Sequence, residues 1–244
     1  MDFTYSAYSA MIDNLKKNGY SFSDYHTCHK YDKCVILRHD IDYSINKAVE
    51  LAELEYSLGV QSNYFVLISA PFYNVISRDI WGKLDLISNR GHNIGLHFDE
   101  KNYSNDYYRD NGGVKNVILK ETKILEEILG RKVNSISMHR PSKETLDADY
   151  DFGDIINSYG KVFFKEYKYV SDSRRNWREN LEEIIESGNF NKLHILTHAF
   201  WYNSQEESIK DSIYKFIDRA ANERYDILND NISNLQAIIC KNEI

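Results

Sequence analysis

The chain alternates short apolar runs with longer amphipathic segments, and this alternation limits the possible folds more than any other feature of the sequence. Six runs rich in apolar and β-branched residues have the length of buried strands: residues 34–38, 63–68, 93–97, 133–138, 161–164 and 193–197. Helical periodicity is found between them, at residues 46–58, 77–90, 114–129 and 178–187. The repeated order of strand, loop and helix predicts an α/β fold with a parallel sheet, either open or closed into a barrel.

Glycines stand at the ends of the four predicted helices. They are Gly59, Gly91, Gly130 and Gly188, each at a position where a left-handed residue commonly ends a helix. With only two prolines and no Gly/Ser-rich tract, the 244 residues contain no recognisable linker. We therefore expect one domain over residues 1–244, with a further helix at 208–226.

Composition and charge exclude several classes of protein. The chain is 42% hydrophobic and 27% charged, which excludes disordered and collagen-like proteins, and its net charge of −7 disfavours nucleic acid or an anionic membrane as a partner. The three cysteines form no C-x-x-C pair and no even-numbered disulfide framework, as is usual in a reducing compartment. We find neither a signal peptide nor an apolar run of 18 residues, and we expect a cytoplasmic protein that does not span a membrane.

Hydrophilic residues accumulate directly after the apolar runs, in five loops. These loops contain Arg38, His39, Asp40 and Asp42; His97 and Asp99; His139 and Arg140; Asp172 and Ser173; and His198. In parallel α/β folds, the loops at the C-terminal ends of the strands form the active site. Charged residues that merely begin a solvated loop explain any one of these loops, but they explain all five together poorly. We therefore expect these side chains to converge on one site.

Asp40 and Asp42 are two residues apart, so their side chains leave an extended strand on the same side, with Cα atoms about 7 Å apart. One carboxylate can bind a cation while the other acts as a base, which favours a metal-assisted hydrolase over a glycosidase. His97 is a candidate ligand because it ends its strand and Gly95 leaves space beside it; the alternative is a buried histidine bonded to the backbone. For His92, at the start of that strand, we expect the structural role.

Six short motifs follow one another along the chain. They are residues 36–42 (ILRHDID), 62–66 (SNYFV), 91–97 (GHNIGLH), 139–141 (HRP), 172–173 (DS) with Trp177, and 196–198 (LTH). Together, over about residues 35–201, they resemble the ordered motifs of the NodB-type polysaccharide deacetylases, carbohydrate esterase family 4. The resemblance implies a distorted (β/α) barrel that hydrolyses an N-acyl group, usually N-acetyl, from a sugar with the help of a metal ion.

The resemblance also implies a metal site. Asp42 matches the metal-binding aspartate of the family, and His97 matches the first of its two metal-binding histidines. The second histidine position is Lys101, whose ammonium group cannot bind a metal. We expect His139 to complete the site, with Asp99 as the alternative, and we expect the divalent ion to be zinc.

Roles in proton transfer and substrate binding follow from the same resemblance. Asp40 matches the catalytic base, His198 the general acid, and Arg140 the arginine that positions the base. A carboxylate such as Asp172 beside His198 would help to keep its imidazole charged. On the substrate side, the motifs give Leu196, Asp172 and Trp177. Trp201 is expected there as well, because the aromatic residues of these loops fit a cleft that stacks against a sugar.

The expected substrate is an N-acetylated amino sugar, as a nucleotide- or lipid-linked intermediate of surface polysaccharide synthesis, because no export signal is found. Two other functions stay open. One is a barrel that binds sugar without catalysis, since Lys101 leaves the metal set of the family incomplete. The other is a hydrolase that acts on a non-sugar amide or a formamide. The presence of both Asp40 and His198 favours an enzyme.

Overall fold

The computed structural model describes every residue from Met1 to Ile244. These residues divide into two compact units, residues 1–204 and residues 205–244. The strands of the first unit are β1 (Ser21–Ser23), β2 (Cys34–Ile41), β3 (Asn63–Val66), β4 (Asn93–Asp99), β5 (Ser135–His139), β6 (Ile156–Asn157), β7 (Lys168–Ser171) and β8 (Lys192–Thr197). Its α-helices are α1 (Tyr5–Lys17), α2 (Ile45–Ser57), α3 (Arg78–Asn89), α4 (Asn105–Asp110), α5 (Val114–Leu129), α6 (Lys143–Ala148), α7 (Val162–Lys165) and α8 (Leu181–Glu186).

The eight strands form one sheet in which every pair is parallel. The strand order is β6-β5-β4-β3-β2-β8-β7, and β1 pairs with the first half of β2. Helices connect successive strands from β2 to β8, as right-handed crossovers between parallel strands require. Because β6 and β7 stand at the two ends of this order, the sheet is a partial barrel. The predicted α/β fold, a distorted (β/α) barrel, is confirmed.

Strand β2 is buried along its whole length and directs its side chains alternately to two sides. Val35 and Leu37 pack in the main hydrophobic core, whereas Ile36 packs in a second cluster. Arg38 and Asp40 continue the row of Ile36, since side chains two residues apart share a side. The sheet therefore presents two charged residues on the same side as an apolar cluster.

The helix ends follow the sequence signals. The four glycines predicted to end helices all have positive φ, between 64° and 88°, so that prediction is confirmed. Gly130 ends the longest helix of the first unit, α5, in the left-handed conformation that a side chain would make costly. At the other end, α2 and α3 begin after Ser44 and Ser77, whose hydroxyl groups accept backbone N–H bonds of the first turn.

Two elements differ from the sequence prediction. The strand predicted at residues 161–164 is wrong, because these residues form the helical turn α7 and the strand β7 follows at Lys168–Ser171. A helical turn buries Phe163 and leaves Val162 and Phe164 exposed, whereas a strand inside the sheet would have buried all three. Helix α1 was not predicted at all, since its apolar residues are interspersed with serines and tyrosines. Its N-cap is Thr4, and its buried side chains are Tyr8, Met11, Ile12 and Leu15.

The second unit consists of one long helix and two short helical turns. Helix α9 extends over Ile209–Asn231, five residues beyond the predicted end at residue 226, and begins with Ser208 as its N-cap. The Tyr225 hydroxyl donates to the carbonyl of Ile239 and ties the end of the chain to this helix. None of the helices in the structure has the length and apolar character that crossing a bilayer requires. That residues 1–244 behave as one domain stays a prediction.

Candidate active site

The C-terminal ends of four strands bring the predicted chemical groups together. Asp42 directly follows β2, His97 lies near the end of β4, His139 ends β5, and His198 directly follows β8. In a parallel sheet these ends lie along one edge. The side chains that the sequence assigns to a metal ion and to proton transfer therefore meet at that edge.

Asp42, His97 and His139 each direct one atom that can bind a metal toward a common point, and we call these three atoms the ligand triangle. The Nε2 atom of His97 lies 3.2 Å from Asp42 Oδ1 and 3.2 Å from His139 Nδ1. The third side of the triangle, from His139 Nδ1 to Asp42 Oδ1, is 3.3 Å. Ligands at about 2.0–2.1 Å from a tetrahedral zinc ion are separated by roughly 3.3–3.4 Å. The triangle thus has the size of one face of a zinc coordination tetrahedron.

The chemistry of these three groups also fits a metal ion. Asp42 Oδ1 is buried and makes no hydrogen bond of normal geometry, although it faces both imidazoles. Burial raises the pKa of Asp42, but the neighbouring imidazoles lower it well below its ordinary value, so the group is a carboxylate. His97 is buried, whereas the His139 side chain is 21% exposed. A divalent ion bound by Asp42, His97 and His139 would therefore lie at the mouth of the site, with access to water.

Asp99 and Lys101 lie outside this triangle. The carboxylate of Asp99 accepts hydrogen bonds from the backbone N–H of Lys101 at 3.1 Å and from the guanidinium group of Arg140. Lys101 itself is exposed in a short helical turn after β4. Of the two candidates for the third ligand, His139 therefore has the geometry of a ligand, and Asp99 has other partners.

The guanidinium group of Arg38 holds Asp40. Its Nε and Nη2 atoms donate to the two carboxylate oxygens at 2.9 and 2.8 Å, and Arg38 is completely buried. Burial raises the pKa of Asp40, but the charge and hydrogen bonds of Arg38, together with the charges of His97 and His198, keep the pKa below its ordinary value. The other side of Asp40 faces the triangle, with Oδ2 at 3.6 Å from His97 Nε2. Asp40 is thus an ionised carboxylate beside the three ligand atoms.

Arg140 does not contact Asp40, so the positioning role that the resemblance implied for it is corrected. The Arg140 side chain is 52% exposed and pairs with Asp99 on the neighbouring strand β4. Its backbone has a φ of 51°, in the left-handed region, directly after the ligand His139. Arg38, and not Arg140, is therefore the arginine that contacts Asp40.

His198 is held by the buried carboxylate of Asp172. The Nδ1 atom of His198 lies 2.6 Å from Asp172 Oδ1, and its backbone N–H donates to Asp172 Oδ2 at 3.0 Å. Burial lowers the pKa of His198, but the charge and hydrogen bond of Asp172, together with the charges of Asp42 and Asp40, raise it to about 9. The other ring nitrogen, Nε2, lies 3.8 Å from Asp42 Oδ2. His198 is thus a protonated imidazole that faces the ligand triangle. The expected partnership of Asp172 with His198 is present, and Asp172 itself is completely buried. Its contact with a substrate stays a prediction.

The remaining predicted substrate residues lie on β8 and in the loops that follow β7 and β8. Leu196 is buried near the end of β8, two residues before His198. Trp201 is half-buried in the helical turn that follows, where its ring packs against Phe200 at a centroid distance of 4.8 Å. Trp177 is half-buried and packs against the main hydrophobic core. Leu196 and Trp201 are therefore close in sequence to His198, and Trp177 packs against the core. Contact of these three residues with a substrate stays a prediction.

A separate polar cluster lies on the opposite side of β2. His39 contacts Glu55 at 2.9 Å and Thr197 at 2.5 Å, and it points away from Asp40 as the strand alternation predicts. Burial raises the pKa of Glu55, but His39 and its other partners lower it to about 2. His92 contacts the backbone carbonyl of Ala52 at 3.0 Å, which is the structural role expected for it. These residues stabilise β2, the strand that carries Asp40, and do not reach the ligand triangle.

No family model matches the chain, and no curated protein matches it. Among solved structures, it is similar to a family 4 carbohydrate esterase from Bacillus anthracis, with 17% identity, a TM-score of 0.43, and 87% of this chain and 85% of that chain covered. It is also similar to a family 4 pseudoenzyme from the same organism, with 14% identity, a TM-score of 0.42, and 78% of this chain and 63% of that chain covered. A third similar structure is a family 4 acetyl xylan esterase from Clostridium thermocellum in complex with a cobalt ion. Its identity is 12% and its TM-score 0.40, with 68% of this chain and 73% of that chain covered. These structures include both an esterase and a pseudoenzyme, so likeness of fold does not decide function. The chain is similar in fold to the family 4 carbohydrate esterases, the NodB-type polysaccharide deacetylases, as its motifs predict.

Proposed function

We propose that this protein is a metal-dependent hydrolase that removes an N-acyl group, in the first place N-acetyl, from an amino sugar. The single observation that carries the proposal is that an ionised Asp40 and a protonated His198 both adjoin the triangle of Asp42, His97 and His139. Hydrolysis of an amide requires a base for water, an acid for the leaving amine and stabilisation of the oxyanion. This site has residues for the first two tasks and a ligand set for the third.

Asp42, His97 and His139 would hold the divalent ion, for which we propose zinc. Such an ion supplies Lewis acidity, which polarises the acyl carbonyl and lowers the pKa of water. Asp40 serves as the base and accepts a proton from the attacking water on a carboxylate oxygen. Its bidentate pairing with Arg38 keeps it ionised and fixes the direction of its lone pairs.

His198 serves as the general acid. Asp172 accepts a hydrogen bond from the Nδ1–H group of the imidazolium ring. The second ring proton is therefore on Nε2, which faces the site. When the carbon–nitrogen bond breaks, Nε2–H donates its proton to the departing amine nitrogen. The pKa of about 9 keeps this proton in place at neutral pH. Leu196 lines the wall beside the acyl methyl group, and Trp201 stacks against the sugar ring.

Release of acetate from a panel of substrates tests this proposal. The panel contains N-acetylated amino sugars in free, nucleotide-linked and lipid-linked form, with N-formyl sugars and a simple acyl amide as comparisons. We expect zinc-dependent acetate release from at least one N-acetylated sugar and no release after chelation. Full activity in metal-free protein would contradict the mechanism. Sugar binding without hydrolysis would instead identify a non-catalytic barrel.

A further inference from the structure

The Ser137 hydroxyl group lies between the metal ligands and the base. Ser137 is completely buried in the middle of β5, opposite His97 in the register of β4 and β5. Its Oγ atom is 2.9 Å from His97 Nδ1 and 3.4 Å from Asp40 Oδ1, and it also accepts a hydrogen bond from Arg38 Nη2. One hydroxyl group thus contacts a ligand, the base and the arginine that holds the base.

The number of protons in this cluster allows one arrangement when His97 binds a metal. The guanidinium group of Arg38 can only donate, so Ser137 Oγ accepts from it. The Nε2 atom of His97 faces Asp42 and His139, and an Nε2 that binds a metal leaves the ring proton on Nδ1. That Nδ1–H group donates to the second lone pair of Ser137 Oγ. The single proton of Ser137 is then left for Asp40 Oδ1.

We infer that Ser137 is a positioning residue that fixes the tautomer of His97 for metal binding and links this ligand to the base Asp40. The inference rests on the proposed metal site and deepens it. An acceptor at Nδ1 holds the imidazole ring in one orientation and makes Nε2 the atom free for the ion. The same oxygen holds Arg38 against Asp40, so the ligand and the base keep a fixed relation.

Replacement of Ser137 by alanine tests this role, and the chain offers a matched control. Ser135 lies two residues earlier on β5 and is equally buried, but its hydroxyl group has no hydrogen-bond partner. Ser137→Ala should raise the dissociation constant for zinc by about 10- to 100-fold in competition with a chelator. Ser135→Ala should leave that constant within about twofold of the wild-type value, since a group that makes no contact positions no ligand. The absorption spectrum of the cobalt-substituted protein should change in Ser137→Ala only.

A measurement on the wild-type protein keeps the inference testable if Ser137→Ala does not fold. In protein with ¹⁵N-labelled histidine and bound zinc, we expect the proton of His97 on Nδ1 and the metal on Nε2. Coordination through Nδ1, an unchanged zinc affinity of a folded Ser137→Ala protein, or a wild-type protein that binds no zinc would each overturn the inference. These readouts do not depend on turnover. A protein that binds zinc as expected but releases no acetate would contradict the proposed function and leave the role of Ser137 intact.

Discussion

At the scale of single residues, Asp40 and Asp42 have the same side chain and different surroundings. Asp40 is paired with Arg38 through both oxygens, while Asp42 Oδ1 is buried opposite two imidazole nitrogens. A carboxylate that a guanidinium group holds through both oxygens stays ionised and keeps a fixed orientation, as a base for water requires. A carboxylate oxygen without a normal hydrogen bond is suited to a cation. These different surroundings support the proposal that Asp40 acts as the base and Asp42 binds the metal ion.

The first prediction concerns this division. Asp40→Asn should leave zinc affinity nearly unchanged and lower kcat by about 10²- to 10⁴-fold, because a positioned base is lost. Asp42→Asn should lower zinc occupancy as well, since a neutral amide oxygen replaces an anionic ligand. Metal content by elemental analysis and kcat from acetate release measure the two effects. Equal loss of zinc in both variants would show that the assignment of base and ligand is wrong.

The second prediction concerns the third ligand. His139→Ala should weaken zinc binding by more than the roughly 10- to 100-fold that is typical for residues that only support a ligand. The cobalt spectrum should change as well, because a nitrogen ligand is lost. Asp99→Ala is the control, since Asp99 pairs with Arg140 and lies outside the ligand triangle. If the spectrum changed in Asp99→Ala and not in His139→Ala, the third ligand would be Asp99.

The third prediction concerns the pH dependence of the acid. Asp172 makes the largest contribution among the groups that raise the pKa of His198 to about 9, so Asp172→Asn should lower this pKa by about 1–3. The alkaline limb of the kcat profile should move to lower pH by a similar amount, because Nε2 loses its proton earlier. Tyr202→Phe is the control, since it removes only a 3.3 Å hydrogen bond to Asp172. An unchanged alkaline limb in Asp172→Asn would exclude His198 as the acid.

The same pKa difference has a consequence for stability. A pKa raised from 6.5 to about 9 stabilises the folded protein fully below pH 6.5, and this contribution is lost as the pH rises through 9. The difference in unfolding free energy between the wild type and Asp172→Asn should therefore shrink over this range.

At the scale of elements, strand β4 has no side chain at Gly95, two residues before His97, the proposed metal ligand. A Cβ atom on Gly95 would lie 2.5 Å from the ring of Phe65 and 2.8 Å from the backbone oxygen of Ser135. The ring of Phe65 therefore fills the space beside His97 that the sequence left open. The close approach of β3, β4 and β5 at this point sets the position of His97 relative to its partners on β5.

The fourth prediction tests this packing. Gly95→Ala should destabilise the protein by about 1–3 kcal/mol in urea denaturation, because the backbone oxygen of Ser135 cannot move away easily. Gly82→Ala is the control. Gly82 lies inside helix α3 with nothing within 4 Å of the added Cβ, so alanine there should stabilise the protein by about 0.5–1 kcal/mol. A neutral Gly95→Ala would mean that β4 tolerates a side chain at this position.

At the scale of the whole molecule, the proposed metal site joins strands that are far apart in sequence. Asp42 follows β2, His97 is on β4, and His139 ends β5. Three residues this distant come together only in the folded chain, so an ion at the proposed site would bind the folded state in preference to the unfolded one. Metal binding and folding of the barrel should therefore be coupled.

The fifth prediction measures that coupling. Free zinc at 100 times its dissociation constant should add about 2.7 kcal/mol to the unfolding free energy, and a chelator should remove this gain. Asp42→Asn should show little gain at the same concentration. Lys101→Ala is the control with an exposed side chain outside the triangle, and it should gain as much as the wild type. The same gain in wild type and Asp42→Asn would mean that zinc binds elsewhere.

Much of the fold follows from sequence because the relevant signals are local. The alternation of strands and helices, the glycines that end helices and the charged residues at strand ends depend on neighbouring residues only. The apolar run at residues 161–164 shows where such signals fail. Periodicity cannot separate a strand from a helical turn in a run that short. The conformation depends on which of its side chains the surrounding elements bury, and here they bury only Phe163.

The sequence by itself determined which residues stand at strand ends, and with them the candidate base, acid and metal ligands. The tertiary structure decided which of these groups contact each other. Arg140 pairs with Asp99, and Ser137 contacts both His97 and Asp40. The pairing of Arg38 with Asp40 is the exception, because residues two apart on a strand share a side. The physical reason is that strand register and backbone direction bring together groups that are far apart in sequence, such as Arg38 and Ser137 at a separation of 99 residues. No pattern of neighbouring residues encodes such a contact.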